Sequence, residues 1–222
     1  MSRLRFLGHA CFHLENNDTA LLFDPFLSAN PFQKAQPSQI SCNYILVSHA
    51  HFDHLGDTVD IAKRTSATVI STAEIAYLCE KEGCKVHAMH IGGKHKFSFG
   101  YVRITPAFHG AGVEGGHACG FIVNFNGKNI YFSGDTSLFG DMELLGHLET
   151  IDYALLPIGD NFTMGPEDAV EAVNLLKPKA VIPMHYNTWP LIAQSPEHFK
   201  NTVENKLNIP VHVLQPGESL EI

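Results

Sequence analysis

Short apolar runs rich in Val, Ile, Phe and Tyr recur along the chain. They are LRFLG, TALLFD, NYILVS, ATVIS, YVRITPAF, CGFIVNF, NIYFSG, DYALLPI, AVIPMH and, at residues 210–214, PVHVL. Runs of this length and composition predict β-strands, and they are too many for an all-helical fold. Patterns with helical spacing lie between them, at residues 57–64, 72–82, 141–148, 166–176 and 196–206. The chain is therefore predicted to be α/β or mixed.

Helix start signals and a predicted hairpin turn support this assignment. Pro166 occupies a first-turn position, acidic residues follow it, and Pro178 lies just past the predicted end of that helix. The last helix begins in the same way, with Ser195 as its N-cap and Pro196 behind it. The segment FNGKN at residues 125–129 predicts a hairpin turn between two strands.

Length and charge narrow the class of protein. With 222 residues the chain has the size of one domain, and we expect residues 1–222 to form a single domain of two pseudo-symmetric halves. A formal net charge of −8 without a run of basic residues argues against a nucleic-acid surface. The first residues contain only a short apolar stretch, so neither a signal peptide nor a membrane span is expected. Scattered cysteines fit reduced thiols, and we expect a cytoplasmic protein.

The segment ILVSHAHFDHLGD, residues 45–57, crowds histidines and aspartates at the end of an apolar run. If this run is a buried strand, the cluster lies in the loop beyond its carboxyl end, where open α/β sheets commonly place ligand sites. Three further strand-like runs end in the same way, at His109, Asp135 and His185. Four apolar runs thus each deliver a ligand-type side chain at the same end.

The side chains at these strand ends have the chemistry of a metal centre. They are His49, His51, Asp53, His54, His109, Asp135 and His185. Imidazoles and carboxylates in this number suit two four-coordinate or five-coordinate first-row ions that share a bridging carboxylate and a water. In a tight loop His49 and His51 point the same way, whereas Asp53 and His54 can turn to a neighbouring position. We therefore assign His49, His51 and His109 to one ion, and Asp53, His54 and His185 to the other. Asp135 would bridge them, and the native metal stays open among Zn, Mn, Ni and Fe.

This set resembles the metallo-β-lactamase superfamily, whose H-x-H-x-D-H signature is complete as HAHFDH and whose later ligands match His109, Asp135 and His185. The segments GHACF, DPFLSANP, GDT, PIGDNFTMGPEDA and PMHYNTWP are similar to the little-characterised metal-dependent hydrolases related to ascorbate-6-phosphate lactonase. The resemblance spans nearly the whole chain. It implies a four-layer αββα sandwich with a dimetal site at one edge, between the two sheets.

Two polar residues near the start of the chain are candidates for supporting roles. His9 lies in a Gly-flanked turn, where it is an extra ligand, a substrate contact or a structural residue. Asp24 follows an apolar run, where it either bonds a ligand imidazole and fixes its tautomer or forms a turn before Pro25. The segment 26–43 is long, contains proline and lacks clear periodicity, so it is a candidate lid over the pocket.

Later in the chain, Asp160 and Asn161 follow another strand end, so they either reach the site or cap the turn before the next helix. Tyr186 directly follows a predicted ligand and is a candidate for the pocket wall. Trp189 is expected in the core, although a place in the pocket wall is the alternative.

The predicted mechanism is metal-dependent hydrolysis. Two cations about 3.5–4 Å apart would lower the pKa of a bridging water to about 7, which would supply a nucleophilic hydroxide near neutral pH. Asp53, itself a ligand, would orient the nucleophile and accept or relay a proton. The expected substrate is a small molecule bearing an ester, a lactone or a phosphoester, and the resemblance favours a lactone or a phosphate-bearing ester.

Two alternatives remain. In the first, the chain is a di-iron redox enzyme, but such relatives typically carry a glutamate where this chain has His51, and they depend on a flavin domain. In the second, the metals only brace the fold of a non-catalytic binding protein; structural metal sites are generally closed by protein ligands alone. We expect no nucleic-acid or membrane partner. Lactonase-like relatives assemble into closed homo-oligomers, which favours a homo-oligomer here.

Overall fold

In the computed structural model, which describes residues 2–222, one β-sheet has seven strands in the order β13-β1-β2-β3-β4-β5-β6. Their bounds are β1 Arg3–Gly8, β2 Cys11–Glu15, β3 Ala20–Phe23, β4 Tyr44–Leu46, β5 Thr68–Thr72, β6 Lys85–Met89 and β13 Ser219–Glu221. Strands β1 to β3 form an antiparallel meander, and β3 to β6 run parallel. The carboxyl ends of β1, β3, β4, β5 and β6 therefore lie at one edge of this sheet.

The second sheet has six strands in the order β12-β11-β10-β9-β8-β7. Their bounds are β7 Lys94–Phe97, β8 Gly100–Pro106, β9 Cys119–Phe125, β10 Lys128–Phe132, β11 Tyr153–Pro157 and β12 Ala180–Met184. Strand β9 is antiparallel to β8 and β10, whereas β10, β11 and β12 run parallel. Strands β8, β10, β11 and β12 therefore also end at a common edge.

Helices cover the outer face of each sheet. Their bounds are α1 Phe52–Leu55, α2 Thr58–Thr65, α3 Ala73–Lys81, α4 Met142–Leu148, α5 Pro166–Leu176 and α6 Pro196–Leu207. Helices α2 and α3 pack on the first sheet, and α4, α5 and α6 pack on the second. This arrangement confirms the predicted αββα sandwich. No helix in the described part of the chain has the length and apolar character that crossing a bilayer requires.

Three apolar clusters hold these four layers together. The cluster between the sheets is rich in phenylalanine, and the rings of Phe23 and Phe132 have centroids 5.1 Å apart. Phe132 is fully buried, so its truncation to alanine is expected to cost about 3–5 kcal/mol of folding free energy. The other two clusters lie between each sheet and its helices. Because both faces of each sheet are covered, the site is left to the edges where the strands end.

The local signals in the sequence are largely confirmed. Ser195 caps α6 by accepting a hydrogen bond from the backbone N of His198 at 3.2 Å, and α5 begins at Pro166. The predicted hairpin joins β9 and β10 through Asn126 and Gly127, both with positive φ (51° and 81°). Such angles are typical of a two-residue hairpin turn.

Some strand predictions are wrong or incomplete. The run at 210–214 makes only a single bridge, between Val211 and Val181, because the next bond of this parallel pairing would need an N–H on Pro183 of β12. Strands β2, β6, β7 and β13 were not predicted. Strand β7 lies at a sheet edge and consists of the segment KHKF, whose charged residues are typical of edge strands and hide the apolar pattern.

The candidate lid at residues 26–43 is instead held against the body of the protein. Asp57 accepts hydrogen bonds from the backbone N of Leu27 and of Ser28, both at 2.9 Å. Arg64 donates to the carbonyl oxygens of Pro37 and Ile40 at 2.7 and 2.5 Å. Apolar residues of the segment are buried in the cluster beneath α2 and α3. The segment therefore packs as part of the outer layer rather than as a cover over the cavity.

Candidate metal centre

Six strands end at the rim where the two sheets meet, and each one leads into a residue that the sequence singled out. Strands β1, β3, β4, β8, β10 and β12 lead to His9, Asp24, His49, His109, Asp135 and His185 respectively. The two sheets are tied together at this rim, because the backbone N of His185 donates to the carbonyl of His9 at 2.8 Å. The structure thus brings residues far apart in sequence to one place.

Two of these side chains, with Asp53 and His54 from helix α1 after β4, form what we call the inner group: His9, Asp53, His54 and His185. One potential ligand atom from each lies within 4.8 Å of all the others. The Oδ2 atom of Asp53 lies 3.1 Å from Nε2 of His9 and 3.8 Å from Nε2 of both His54 and His185. The predicted set of Asp53, His54 and His185 is therefore assembled, with His9 added to it.

Three histidines form what we call the outer group: His49, His51 and His109. Their potential ligand atoms also lie within 4.8 Å of one another. The Nε2 atom of His109 is 3.3 Å from Nδ1 of His51, and the ring centroids of His49 and His51 are 4.6 Å apart. These are the three histidines that the sequence assigned to a single ion.

Asp135 stands between the two groups. Its Oδ2 atom lies 3.0 Å from Nε2 of His185 and 3.3 Å from Nε2 of His54, both in the inner group. The same oxygen is 3.7 Å from Nε2 of His109 in the outer group. One carboxylate therefore faces both groups, as a bridging ligand must.

Unpaired polar atoms in this cluster fit a bound cation. Nε2 of His49, Nε2 of His54 and Oδ1 of Asp135 are buried and have no hydrogen-bond partner. Leaving such atoms unpaired in a buried site costs about 1–3 kcal/mol each. Imidazole nitrogens and carboxylate oxygens are ligands that first-row divalent ions accept. The donor atoms of the chain thus match the needs of a metal centre.

A single buried carboxylate orients histidines of both groups. Asp24 accepts a hydrogen bond from Nδ1 of His54 at 2.6 Å and from Oγ of Ser48 at 2.5 Å, both at its Oδ2 atom. The Oγ atom of Ser48 lies 2.9 Å from Nδ1 of His49. Because the serine hydrogen is given to Asp24, Ser48 accepts from His49. Both imidazoles are then left with a free Nε2 lone pair, which faces the site.

His9 is held between Asp53 and Thr188. Its Nε2 atom is 3.1 Å from Oδ2 of Asp53, and its Nδ1 atom is 2.8 Å from Oγ1 of Thr188. An ionised carboxylate only accepts hydrogen bonds, so Nε2 of His9 carries the hydrogen and Nδ1 accepts from Thr188. This arrangement fixes the tautomer of His9 and one oxygen of Asp53.

Burial and neighbouring charges set the protonation states. Burial, followed by the nearby His54, holds the pKa of His49 well below its usual value, and burial with His185 lowers the pKa of His9 to about 4. Burial opposes ionisation of Asp135, yet the adjacent His185 and His54 keep its pKa well below the usual range. These directions favour neutral imidazoles and an ionised carboxylate, the forms that bind metals.

His54 departs from this pattern. Burial lowers the pKa of His54, but the charges of Asp135 and Asp24 outweigh it and raise that pKa well above its usual value. A proton on His54 therefore competes with a cation for Nε2, because a histidine must be neutral to ligate.

Several strand ends at this rim have unusual backbone angles. His9, Asp24 and His185 all have positive φ, at 59°, 38° and 55°. Non-glycine residues in this region typically carry about 1–3 kcal/mol of strain each, and they cluster at functional sites. Gly134 also has positive φ, and a Cβ there would lie 2.7 Å from the Cβ of Ser48. The turn before Asp135 therefore needs glycine to approach the loop of the outer group.

The inner group, the outer group and Asp135 together form what we call the ligand cluster. A cavity of about 410 Å³ opens above it. Its floor consists of His51, Asp53, His109, Asp135 and His185. Its wall consists of Phe52, Phe162, Trp189 and Leu191. Trp189 is partly exposed in this wall, so the expectation that it packs in the core is wrong.

Sequence reasoning missed the other three wall residues. Phe52 lies inside the HAHFDH segment, where its apolar side chain is 69% exposed because the neighbouring Asp53 and His54 turn inward. Phe162 and Leu191 lie in the loops after β11 and β12 and are 51% and 68% exposed. Their position in the sequence could have indicated this role, since each lies within a few residues of a strand that ends at the rim where the two sheets meet.

The remaining candidates lie away from the floor. Asp160 and Asn161 are exposed, and Oδ1 of Asp160 accepts from the backbone N of Asn161 at 2.8 Å, which shapes the turn before Phe162. Tyr186 lines a separate pocket of about 190 Å³ beside His9, and burial raises its pKa to about 12. These three residues are thus not among those that line the main cavity.

Comparison with known proteins agrees with these features. Residues 19–186 match the model of the beta-lactamase superfamily domain. A metal-dependent hydrolase from Natranaerobius thermophilus is 54% identical over 220 residues, a match that covers 99% of this chain and 99% of that one.

Solved structures show the same similarity. The novel metallo hydrolase Igni18 from the hyperthermophilic archaeon Ignicoccus hospitalis has a TM-score of 0.93 and 35% identity, with 100% of this chain and 99% of that chain covered. CmlA, a diiron beta-hydroxylase from Streptomyces venezuelae, has a TM-score of 0.79 at 14% identity, with 100% of this chain and 54% of that chain covered. The second likeness extends to the fold alone.

Proposed function

Because this chain belongs to the beta-lactamase superfamily and is a metal-dependent hydrolase like its relatives, we propose that it hydrolyses a small ester, lactone or phosphoester with two metal ions. The observation that carries this proposal is the position of Asp135. A single oxygen, Oδ2, lies 3.0 Å from Nε2 of His185 and 3.7 Å from Nε2 of His109, so it faces both the inner and the outer group.

Each group supplies ligands for one ion. We assign His49, His51 and His109 to the first ion, Asp53, His54 and His185 to the second, and Asp135 to both. When bound, divalent ions of this kind polarise the oxygen of a carbonyl or phosphoryl group and make a bound water acidic enough to act as a nucleophile near neutral pH. The chain then has to orient the substrate and move protons.

Asp53 is the residue we assign to proton transfer. Its Oδ2 atom accepts a hydrogen bond from Nε2 of His9, which holds one oxygen in place. Asp53 also lines the cavity, so its carboxylate reaches both the ligand cluster and a bound substrate. A carboxylate held in this way can accept the proton that the attacking water loses and return it to the leaving oxygen.

The cavity separates this proposal from a purely structural metal site. Structural sites are closed by protein ligands. Here His51, Asp53, His109, Asp135 and His185 all line an open cavity. Substrate therefore has direct access to residues of both groups.

The di-iron redox alternative is weaker. Its support is CmlA, whose likeness at 14% identity concerns the fold alone. The relatives that are about half identical over nearly their whole length are metal-dependent hydrolases. We therefore do not carry the redox reaction to this chain.

The test compares two aspartate variants with the wild-type protein. Each protein is stripped of metal, reloaded with Zn²⁺, Mn²⁺, Ni²⁺ or Fe²⁺, and assayed against lactones, carboxylic esters and phosphodiesters. Asp135→Asn is expected to lower both metal content and activity. The expected loss of activity is about a thousandfold, which corresponds to about 4 kcal/mol of lost transition-state stabilisation.

Asp141→Asn is the matched control, because Asp141 is exposed and its side chain makes no capping bond to α4. It is expected to keep wild-type activity and metal content. Unchanged activity and metal content in Asp135→Asn, with the wild-type protein active, would overturn the proposal.

A further inference from the structure

The wall of the cavity is as distinctive as its floor. Phe52, Phe162, Trp189 and Leu191 face the same space as the ligand cluster. Three of them, Phe52, Phe162 and Leu191, leave more than half of their surface exposed. Large apolar side chains that converge on a cavity of about 410 Å³ mark a ligand-binding surface, because contiguous exposed apolar patches on proteins are usually binding sites.

Part of this wall is fixed in place by packing. The ring centroid of Trp189 lies 6.0 Å from those of both Phe26 and Phe52, and 5.0 Å from that of His9. Phe26 is almost completely buried, so it supports the other two aromatic rings from behind. A wall that is ordered before a ligand arrives loses little conformational entropy on binding.

The side chains around the cavity argue against an anionic group on the part of the ligand that lies against the wall. No lysine or arginine occurs among the described residues that line it, and its floor carries the carboxylates of Asp53 and Asp135. Proteins that recognise phosphate usually supply arginine, lysine or a helix N-terminus. A phosphate group distant from the reacting bond would therefore have no cationic side chain to pair with in this wall.

We infer that the substrate carries an uncharged apolar group, of the size of a short alkyl chain or a phenyl ring, which seats against Trp189, Phe162 and Leu191 while its reacting carbonyl or phosphoryl group lies over the ligand cluster. This inference rests on the proposed function for the reacting end of the substrate. The apolar wall itself is independent of metal. It narrows the substrate to compounds whose non-reacting part is apolar and carries no phosphate or other charged group.

Binding to the wall can be measured without catalysis. Trp189 is the only tryptophan in the chain, so tryptophan fluorescence reports on this wall alone. Metal-free protein is titrated with the straight-chain alcohols from ethanol to hexanol and, separately, with inorganic phosphate. Each buried methylene contributes about 0.8 kcal/mol, so the dissociation constant is expected to fall about fourfold per methylene until the cavity is filled. Phosphate is expected to leave the fluorescence unchanged.

Variants identify the contacts. Leu191→Ala and Phe162→Ala each remove an exposed side chain, and each is expected to weaken hexanol binding by about tenfold and flatten the chain-length dependence. Leu144→Ala is the control, because Leu144 is 54% exposed but lies on α4, outside the cavity. It is expected to bind the alcohols as the wild-type protein does.

A kinetic series then tests the reacting end. Metal-loaded enzyme is assayed with 4-nitrophenyl esters from acetate to hexanoate, and kcat/KM is expected to rise with chain length in the wild-type protein and less in Leu191→Ala. If no ester, lactone or phosphodiester is hydrolysed while alcohol binding follows chain length, the proposed hydrolysis fails and the apolar wall stands. If alcohol binding is independent of chain length, or if phosphate binds more tightly than hexanol, the inference is overturned.

Discussion

The inner and outer groups of the ligand cluster differ in how firmly the protein holds them. In the inner group His54, His185 and His9 are at most 3% exposed; Asp24 bonds to His54, and Asp53 and Thr188 bond to His9. In the outer group His49 is also fully buried and bonds to Ser48, whereas His51 and His109 are half-buried, face the cavity and lie 3.3 Å apart between Nδ1 and Nε2. Hydrogen bonds therefore fix His9, His54 and His49 in place, whereas His51 and His109 remain exposed to a substrate in the cavity.

We expect the two groups to differ most in the free energy of unfolding that is lost when one histidine from each group is replaced by alanine. His54→Ala leaves the fully buried carboxylate of Asp24 without its imidazole, and we expect a loss of about 3–5 kcal/mol in the free energy of unfolding. His51→Ala empties a half-buried position and is expected to cost less than about 1 kcal/mol. Chemical denaturation of the metal-free proteins measures both values, and equal losses would remove the distinction between the groups.

The next prediction concerns the link between the groups through Asp24. Asp24→Asn is expected to weaken metal binding about 10–100-fold at both groups, since Asp24 contacts His54 directly and His49 through Ser48. Ser48→Ala should weaken the outer group and leave the inner group close to the wild type. Two-site metal titrations against a competing chelator separate these cases, and an effect of Ser48→Ala confined to the inner group would contradict the assignment.

Glu149 is a carboxylate outside the ligand cluster, so it shows how much hydrogen bonds and charge contribute to stability where no metal role is proposed. Glu149 accepts hydrogen bonds from Lys94 at 2.8 Å, Tyr101 at 2.9 Å and Arg103 at 3.1 Å. Burial alone would raise the pKa of Glu149, but the bonds from Lys94 and Tyr101 and the nearby positive charges lower it. A lowered pKa in the folded state means that the ionised group stabilises the protein above its unfolded pKa near 4.5, and that this stability is lost as pH falls through the folded value.

Glu149→Gln is therefore expected to lose about 1.5 kcal/mol of unfolding free energy at pH 7. The difference from the wild-type protein should shrink as the pH falls below the ordinary range of a glutamate. Denaturation curves at several pH values measure it. A difference that stays constant down to the acid limit would show that the charge of Glu149 contributes nothing.

The smallest expected effect concerns Thr188, at the edge of the inner group. Thr188→Val keeps the shape of the side chain but removes the hydroxyl that donates to Nδ1 of His9, and we expect kcat to fall about threefold with metal content unchanged. Thr188→Ser restores the hydroxyl and should restore the rate. A loss of activity shared by both variants would indicate packing rather than orientation of His9.

The fold and the position of the site were largely predictable for one physical reason. Parallel strands share a carboxyl edge, so ligand-type residues at the ends of β4, β8, β10 and β12 had to lie near one another once the sandwich formed. The metal-binding role of these residues, and their division between two ions, stay predictions. His9 showed the limit of this reasoning, because only the structure reveals that its ring enters the inner group.

The cavity wall was not predictable in the same way. Trp189 was expected in the core because it is large and apolar, but packing against Phe26 and Phe52 places it beside the cavity. The roles of Phe162 and Leu191 depend on the paths of two loops, which carry no periodic signal. Strand β7 was missed because its charged edge residues resemble a loop. In each case tertiary contacts outweighed the local preference of the sequence.

The proposed hydrolysis depends on two ions that share Asp135. The most direct measurement is the number of ions that metal-free protein takes up per chain at saturation, determined by titration with Zn²⁺ or Mn²⁺ and elemental analysis. We expect two ions per wild-type chain and, in Asp135→Asn, weaker uptake at both positions. Saturation at one ion per chain, or uptake in the variant equal to that of the wild-type protein, would contradict the account.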